Sequence, residues 1–304
     1  MKKKQVKYIS LGDKDGLFVT FCTLGASIYS IRFNHRLMTL TPKKKSDFLR
    51  PDVYHGKTIG PVCGRIKNGK LFIKDKEYGY PLNEGENTLH GGPDGISTHI
   101  FDYELIEKGI RFTYQDETAK YDVTYLFLEK DELKINFTVG PFDEMALSLT
   151  NHSYFTLGSR NILKTKLKIN ALEFIEVNPD DLIPERIRKV PKCLDFRKPR
   201  NIGRCINNPY LKNSKTNGYD HSLILEDVGF PVVLENKKYR LTINSSFEAV
   251  QIYTDNYENG VEMIGTKDKI YRGIAIEPQE IQLYRQAYHD IYSSFITYKF
   301  EEKF

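Results

Sequence analysis

Residues 100–139, IFDYELIEKGIRFTYQDETAKYDVTYLFLEKDELKINFTV, decide the fold class. Phe101, Tyr103 and Leu105 alternate with polar residues, and Phe112 and Tyr114 alternate with Arg111, Thr113 and Gln115. The same period of two recurs over residues 121–127 and 133–139. Glu107-Lys108-Gly109 and the segments 115–120 and 129–132 carry the charged or turn-forming residues between these runs. A period of two with one apolar face suits a half-buried strand, and short connections favour antiparallel neighbours. The stretch therefore predicts an antiparallel meander.

Working outward, Leu17-Phe18-Val19-Thr20-Phe21-Cys22 is dense in β-branched and aromatic residues, and Gly25 breaks the run. The second half continues with strand-like segments at 167–177, 222–225, 232–234, 239–243, 249–253 and 273–277. No long window carries an apolar stripe at the helical period, and only residues 46–54 suggest a short helix. Many short strands with almost no helix predict an all-β fold, a large antiparallel sandwich. With no linker and no internal repeat, residues 1–304 read as a single domain.

Composition narrows the function. An apolar share of 40% plus 21 glycines is enough for a sizeable core, so disorder is excluded as the main state. No run approaches the roughly 20 apolar residues of a membrane-spanning helix. Met1-Lys2-Lys3-Lys4-Gln5 is basic, but Ser10-Leu11-Gly12-Asp13-Lys14 follows where a signal peptide needs an apolar core. Cys22, Cys63, Cys193 and Cys205 stand far apart, without a C-x-x-C pair. The expected location is cytoplasmic, with no membrane association. The net charge of +5 is modest, and the lysine runs 2–4 and 43–45 are short, so they read as solvated surface and no nucleic-acid partner is expected. Phosphate loops, dinucleotide fingerprints, zinc-protease helices and nucleophile elbows are all missing, and no two histidines stand at metal-ligand spacing. No cofactor and no metal are expected.

Four segments place polar residues inside apolar runs or glycine turns. In Asn87-Thr88-Leu89-His90-Gly91-Gly92 the glycines permit a tight turn holding His90 at a strand end, as a site residue or a turn cap. In Leu149-Thr150-Asn151-His152-Ser153-Tyr154-Phe155 a buried imidazole needs partners, so His152 is a satisfied core residue or a site residue. Asp220, in Asn217-Gly218-Tyr219-Asp220-His221, is a turn-forming or a functional acid. Glu277 ends the apolar run Gly273-Ile274-Ala275-Ile276, either as an edge-strand acid or as a desolvated carboxylate with a raised pKa or a strong partner.

Taken in order, these segments resemble the aldose 1-epimerase (galactose mutarotase) family. The resemblance begins at Gly64-Arg65-Ile66-Lys67-Asn68 and runs through the His90 and His152 segments just quoted. Asn178-Pro179-Asp180-Asp181-Leu182-Ile183-Pro184 and Leu194-Asp195-Phe196-Arg197-Lys198-Pro199 follow. Gly218-Tyr219-Asp220-His221, Val250-Gln251-Ile252-Tyr253-Thr254 and Ile276-Glu277-Pro278-Gln279 complete it. The resemblance implies a single β-supersandwich with an open sugar-binding cleft, interconverting α and β anomers of free hexoses without a cofactor. It implies Glu277 as general base and His152 as general acid. Arg65, His90, Asp220 and Gln251 would bind sugar hydroxyls or the ring oxygen. A carboxylate and an imidazole of opposite pKa demand suit ring opening and reclosure. The partner implied is a small-molecule monosaccharide, and the chain is expected as a monomer or homodimer.

The sequence departs from the family at Gly69, where a second arginine is usual, in having no tryptophan, and over residues 280–285. Any platform under the sugar is then Tyr or Phe. A hexose-6-phosphate 1-epimerase would need extra cations for the phosphate. A non-catalytic carbohydrate-binding module would have little use for both His152 and Glu277, and a glycoside hydrolase would usually show two flanking carboxylates.

Overall fold

The computed structural model describes residues 4–212, 215–267 and 269–303. The meander forms as expected. Strands Asp102–Ile106, Gly109–Gln115, Ala119–Glu129 and Glu132–Pro141 pair antiparallel in chain order. They make one side of a nine-stranded sheet that continues through Tyr292–Glu302, Tyr239–Ser245, Val232–Glu235, Lys166–Lys168 and Arg200–Asn201. A six-stranded sheet runs in the order Tyr154–Phe155, Ile274–Gln279, Ala249–Tyr253, Asp220–Leu225, Ala171–Val177, Pro184–Lys189. The N-terminal strands Tyr8–Gly12, Leu17–Cys22, Ser27–Phe33 and Arg36–Leu37 form a third sheet.

The layers meet through aromatic rings. Phe155 of the six-stranded sheet meets Tyr298 of the nine-stranded one at 5.0 Å between ring centroids. Phe300 stacks on Phe33 of the third sheet at 5.9 Å. Aromatic pairs at such separations add to the area they bury, and one core cluster runs from Leu17 to Phe300.

Three details differ from the sequence reading. The helix expected at 46–54 is only Lys45–Phe48, whose buried Phe48 packs edge-on to Tyr29. The segment 167–177 is two strands, Lys166–Lys168 and Ala171–Val177, in different sheets. Leu167, Ile169 and Ala171 are all buried in the same core, so the inward residues stay inward as the chain crosses between layers, and the alternation does not register the switch. Finally, Tyr292–Glu302 had no counterpart in the sequence reading, yet it sits between Glu132–Pro141 and Tyr239–Ser245.

That last strand is the centre of its sheet, and Ile296 within it is fully buried. Truncating a core isoleucine leaves a cavity that the neighbours fill only in part, so Ile296→Ala should lower unfolding stability by roughly 2–5 kcal/mol. Urea denaturation of both proteins, compared at equal m-value, measures it. The lysines at 43 and 45 are held locally, Lys43 by Glu262 at 2.8 Å and Lys45 over the Tyr8 ring at 4.2 Å. Lys2 and Lys3 lie outside the described residues.

Candidate active site

The six-stranded sheet sorts its side chains by strand alternation. Leu223, Ile252 and Ile276 turn to the core. Their neighbours Asp220 and Ser222, Gln251 and Tyr253, Glu277 and Gln279 turn the other way and line one cavity of about 570 Å³. The pairing register sets Ser222 opposite Gln251, and Gln251 opposite Glu277. Glu277 is in the second strand of the six, beside the short edge strand Tyr154–Phe155 and not in the edge itself, and is 2% exposed. The volume is within the range of roughly 300–1,000 Å³ usual for small-molecule sites.

Loops supply the walls. The run 149–155 is not one strand: it breaks between Thr150–Asn151 and Tyr154–Phe155, and His152 stands in the break facing the cavity. His90 follows the strand Thr88–Leu89 at φ 57°, and Gly91 continues at φ 84°. A Cβ on Gly91 would fall 2.5 Å from the Gly60 carbonyl oxygen, so this turn needs glycine. Arg65 is brought alongside by pairing of Arg65–Ile66 with Thr88–Leu89. The fold thus gathers Arg65, His90, His152, Asp220, Gln251 and Glu277 around one space.

The cavity is electrostatically uneven. His152 Nε2 stands 3.4 Å from Glu277 Oε1. Burial lowers the His152 pKa to about 4. Burial, helped by the Asp220 charge, raises that of Glu277 well above the usual carboxylate range. Both shifts disfavour the charged form, as desolvation does. Gln251 Nε2 donates to Asp220 Oδ1 at 2.6 Å, and Arg65 Nη1 approaches Asp220 Oδ2 at 3.6 Å. Tyr54 lies over His152, with ring centroids 5.9 Å apart and planes at 27°.

The family model for aldose 1-epimerase matches residues 7–287. The chain belongs to the aldose 1-epimerase family. It is 30% identical over 262 residues to galactose mutarotase of Sus scrofa, covering 77% of this chain and 72% of the relative. With galactose mutarotase of Mus musculus the identity is 27% over 292 residues, covering 87% and 83%. Its fold is similar to that of galactose 1-epimerase from Lactobacillus acidophilus, with a TM-score of 0.87 at 23% identity over 100% of this chain and 97% of the other. Family membership makes the chain an isomerase acting on carbohydrates.

Within this epimerase the departures noted in the sequence resolve. Gly69 does not line the cavity, and its φ is 66°. A Cβ there would fall 2.3 Å from the Tyr80 carbonyl oxygen, so an arginine at 69 has no place. The cavity guanidinium is Arg65, whose Nε and Nη2 donate to Glu84 Oε2 and Oε1 at 2.7 and 2.9 Å. A bidentate pair of this kind fixes the orientation of the fork as well as its charge. Residues 280–285 turn back to support it: Arg285 Nη1 donates to the Arg65 carbonyl at 3.2 Å and Nη2 to that of Cys63. Gln282 fills the space beside Gly64, its Nε2 lying 2.6 Å from where a Cβ would stand. The aromatic lining is tyrosine throughout: Tyr54, Tyr154, Tyr253 and Tyr257.

His55, Tyr54, Glu84, Ser222, Gln279 and Gln282 also line the cavity, and the sequence reading named none of them as a site residue. Ser222 and Gln279 were detectable in principle, each being two positions from a named residue on the same strand face. Glu84 and His55 sit in irregular chain, where no periodicity marks them.

The fold also brings His90, His152 and Glu277 within 4.8 Å of one another, although no spacing in the sequence suggested it. Two imidazoles and a carboxylate are a familiar zinc donor set. The hydrogen bonds favour a different use. Gly64 N–H donates to His90 Nδ1 at 3.3 Å. Burial holds that ring well below its ordinary pKa and therefore neutral. The remaining proton is then on Nε2, an N–H that donates and does not ligate.

Proposed function

We propose that the chain is a mutarotase, interconverting the α and β anomers of free hexoses such as galactose or glucose, with no cofactor. The observation that carries this reading is the buried His152–Glu277 pair, 3.4 Å apart in a cavity that Arg65, His90, Asp220 and Gln251 also line. The chain acts in this reading as one domain, consistent with its continuous core.

The chemistry follows from the proton inventory of the pair. Neutral His152 with protonated Glu277 holds the same number of protons as imidazolium with carboxylate. These two arrangements are the two ends of a half-reaction. In ring opening, Glu277 removes the O1 proton, the C1–O1 double bond forms, the C1–O5 bond breaks, and His152 delivers its proton to O5. The pair is left neutral, the form that burial favours, with the open aldehyde bound. After rotation about C1–C2 the same transfers run backwards and close the other anomer. Arg65, His90, Asp220 and Gln251 hold the ring through its hydroxyls and ring oxygen. Groups positioned in this way typically contribute about 10²–10⁴-fold each.

The active pair carries one exchangeable proton, so activity should be bell-shaped in pH. On the acid side a second proton charges His152 without freeing Glu277, and that limb falls near about pH 4. On the alkaline side the pair loses its only proton, and because the Glu277 pKa is raised this limb lies well above the usual carboxylate range. A kcat/KM profile by polarimetry measures both limbs. Flat activity across them would contradict the pair's role.

Cavity charge separates free sugars from sugar phosphates. Five carboxylates line it, Asp52, Glu84, Asp220, Asp255 and Glu277, against two formal cations, Arg65 and Lys215. Arg65 is already held by Glu84 and Asp220, and Asp52 and Asp255 are paired with Arg50 and Arg272, so the lining shows no surplus of cations for a phosphate dianion. Exchange NMR between the α and β H1 signals, run with galactose, glucose and glucose 6-phosphate, tests this. The free sugars should show enzyme-dependent exchange; a response confined to the phosphate would overturn the reading.

A further inference from the structure

His55 is in the cavity wall, yet neither the acid–base pair nor the hydroxyl-binding set uses it. It is 4% exposed, and its ring lies on that of Tyr154, with centroids 4.3 Å apart and planes at 20°. Neither Nδ1 nor Nε2 has a hydrogen-bond partner among the described residues. Burial holds the ring well below its ordinary pKa, and the charges of Arg272 and Lys57 push in the same direction. The ring is therefore neutral, with one N–H donor and one lone pair.

Stacking on Tyr154 does not account for an imidazole. A phenyl ring would stack as well and would bring no polar atoms into the interior. Of the buried groups nearby, Arg272 and His221 are held by protein, whereas His152 Nδ1, Ser222 Oγ and Gln279 Nε2 of the cavity lining, like His55, have no partner among the described residues. Arg272 donates from Nε to Asp255 Oδ2 at 2.7 Å and from Nη1 to the Val261 carbonyl at 3.0 Å. His221, on the core side of the sheet, accepts the Asp220 N–H at Nδ1 over 3.0 Å. Buried polar groups are paired as a rule, and for His55 the partner has to come from the contents of the cavity. A hydroxyl group both donates and accepts, as the neutral ring does.

We infer that His55 is a specificity-determining residue, hydrogen-bonded to a hexose hydroxyl away from C1 and the ring oxygen. The inference rests on the mutarotase reading, in which Glu277 and His152 already serve O1 and O5. A site that hydrogen-bonds a hydroxyl rejects the analogue lacking it, because its own polar atom is then left unpaired.

The test replaces His55 by Phe, which keeps the stack and removes both nitrogens. KM for galactose should rise roughly tenfold while kcat stays within about twofold, the pattern for lost binding outside the reacting centre. Across a set of monodeoxygalactoses, the wild type should discriminate against one member, and His55→Phe should lose that discrimination and no other. The sugar-free melting temperature should hold or rise, since two buried polar atoms are gone. Unchanged KM with an unchanged deoxy-sugar profile overturns the inference. The wild type gives a readout that does not depend on the variant folding: in ¹⁵N-histidine spectra the His55 ring signals should move as galactose is added. Signals that stay fixed while galactose binds would equally overturn it. If galactose binds and moves those signals but no aldose is turned over, the mutarotase reading has failed and the contact at His55 stands.

Discussion

Replacing Glu277 by Gln should lower kcat for anomer exchange by roughly 10²–10⁴, with KM changed far less. The amide keeps the shape but takes no proton from O1. Stability should move the other way. A buried carboxyl with a raised native pKa binds its proton more tightly folded than unfolded, so the wild type loses stability as pH rises from the unfolded value of about 4.3 towards the native one. Glu277→Gln removes that loss, and the variant should unfold at a higher temperature than the wild type at neutral pH. Parallel calorimetry and steady-state kinetics check both halves. Loss of activity with loss of fold would indicate a structural acid instead.

Replacing His152 by Ala should cost a similar factor in kcat, roughly 10²–10⁴. The informative variant is the double one. Because the pair passes one proton between its members, His152→Ala combined with Glu277→Gln should be little worse than the poorer single variant, as for groups that act as a unit. Multiplied losses would mean two independent contributions and would contradict the shared proton. The pH profile separates the singles: His152→Ala should abolish the alkaline limb, leaving activity that rises as Glu277 ionises, and Glu277→Gln the acid limb, leaving activity that falls as His152 loses its proton.

The sequence made the meander and Leu17–Cys22 legible because their alternation is local and strict. It made the two members of the proposed pair, His152 and Glu277, legible because each polar residue interrupts an apolar run. What it hid was set by pairing at long range. Tyr292–Glu302 takes its place through partners about 160 and 60 residues earlier in the chain, and its inward face mixes Tyr292, Ser294 and Ile296 in a weak apolar pattern. The switch of sheet at Ile169-Asn170 is equally silent, because the inward residues on both sides face one core. In the site, Glu84, 19 residues on, and Arg285, 220 residues on, both hold Arg65, and nothing at position 65 announces either. The departure at Gly69 is set by the backbone of Tyr80, not by the cavity, and nothing in the local sequence says so.

The central claim is that this chain equilibrates hexose anomers through the His152–Glu277 pair. Its most direct test is the decay of optical rotation in freshly dissolved α-D-galactose, with purified protein and no added cofactor. The account predicts acceleration over buffer that scales with protein concentration and falls to the buffer rate in Glu277→Gln. A decay indistinguishable from buffer with galactose, glucose and other free aldoses, or a Glu277→Gln variant as fast as the wild type, would contradict it.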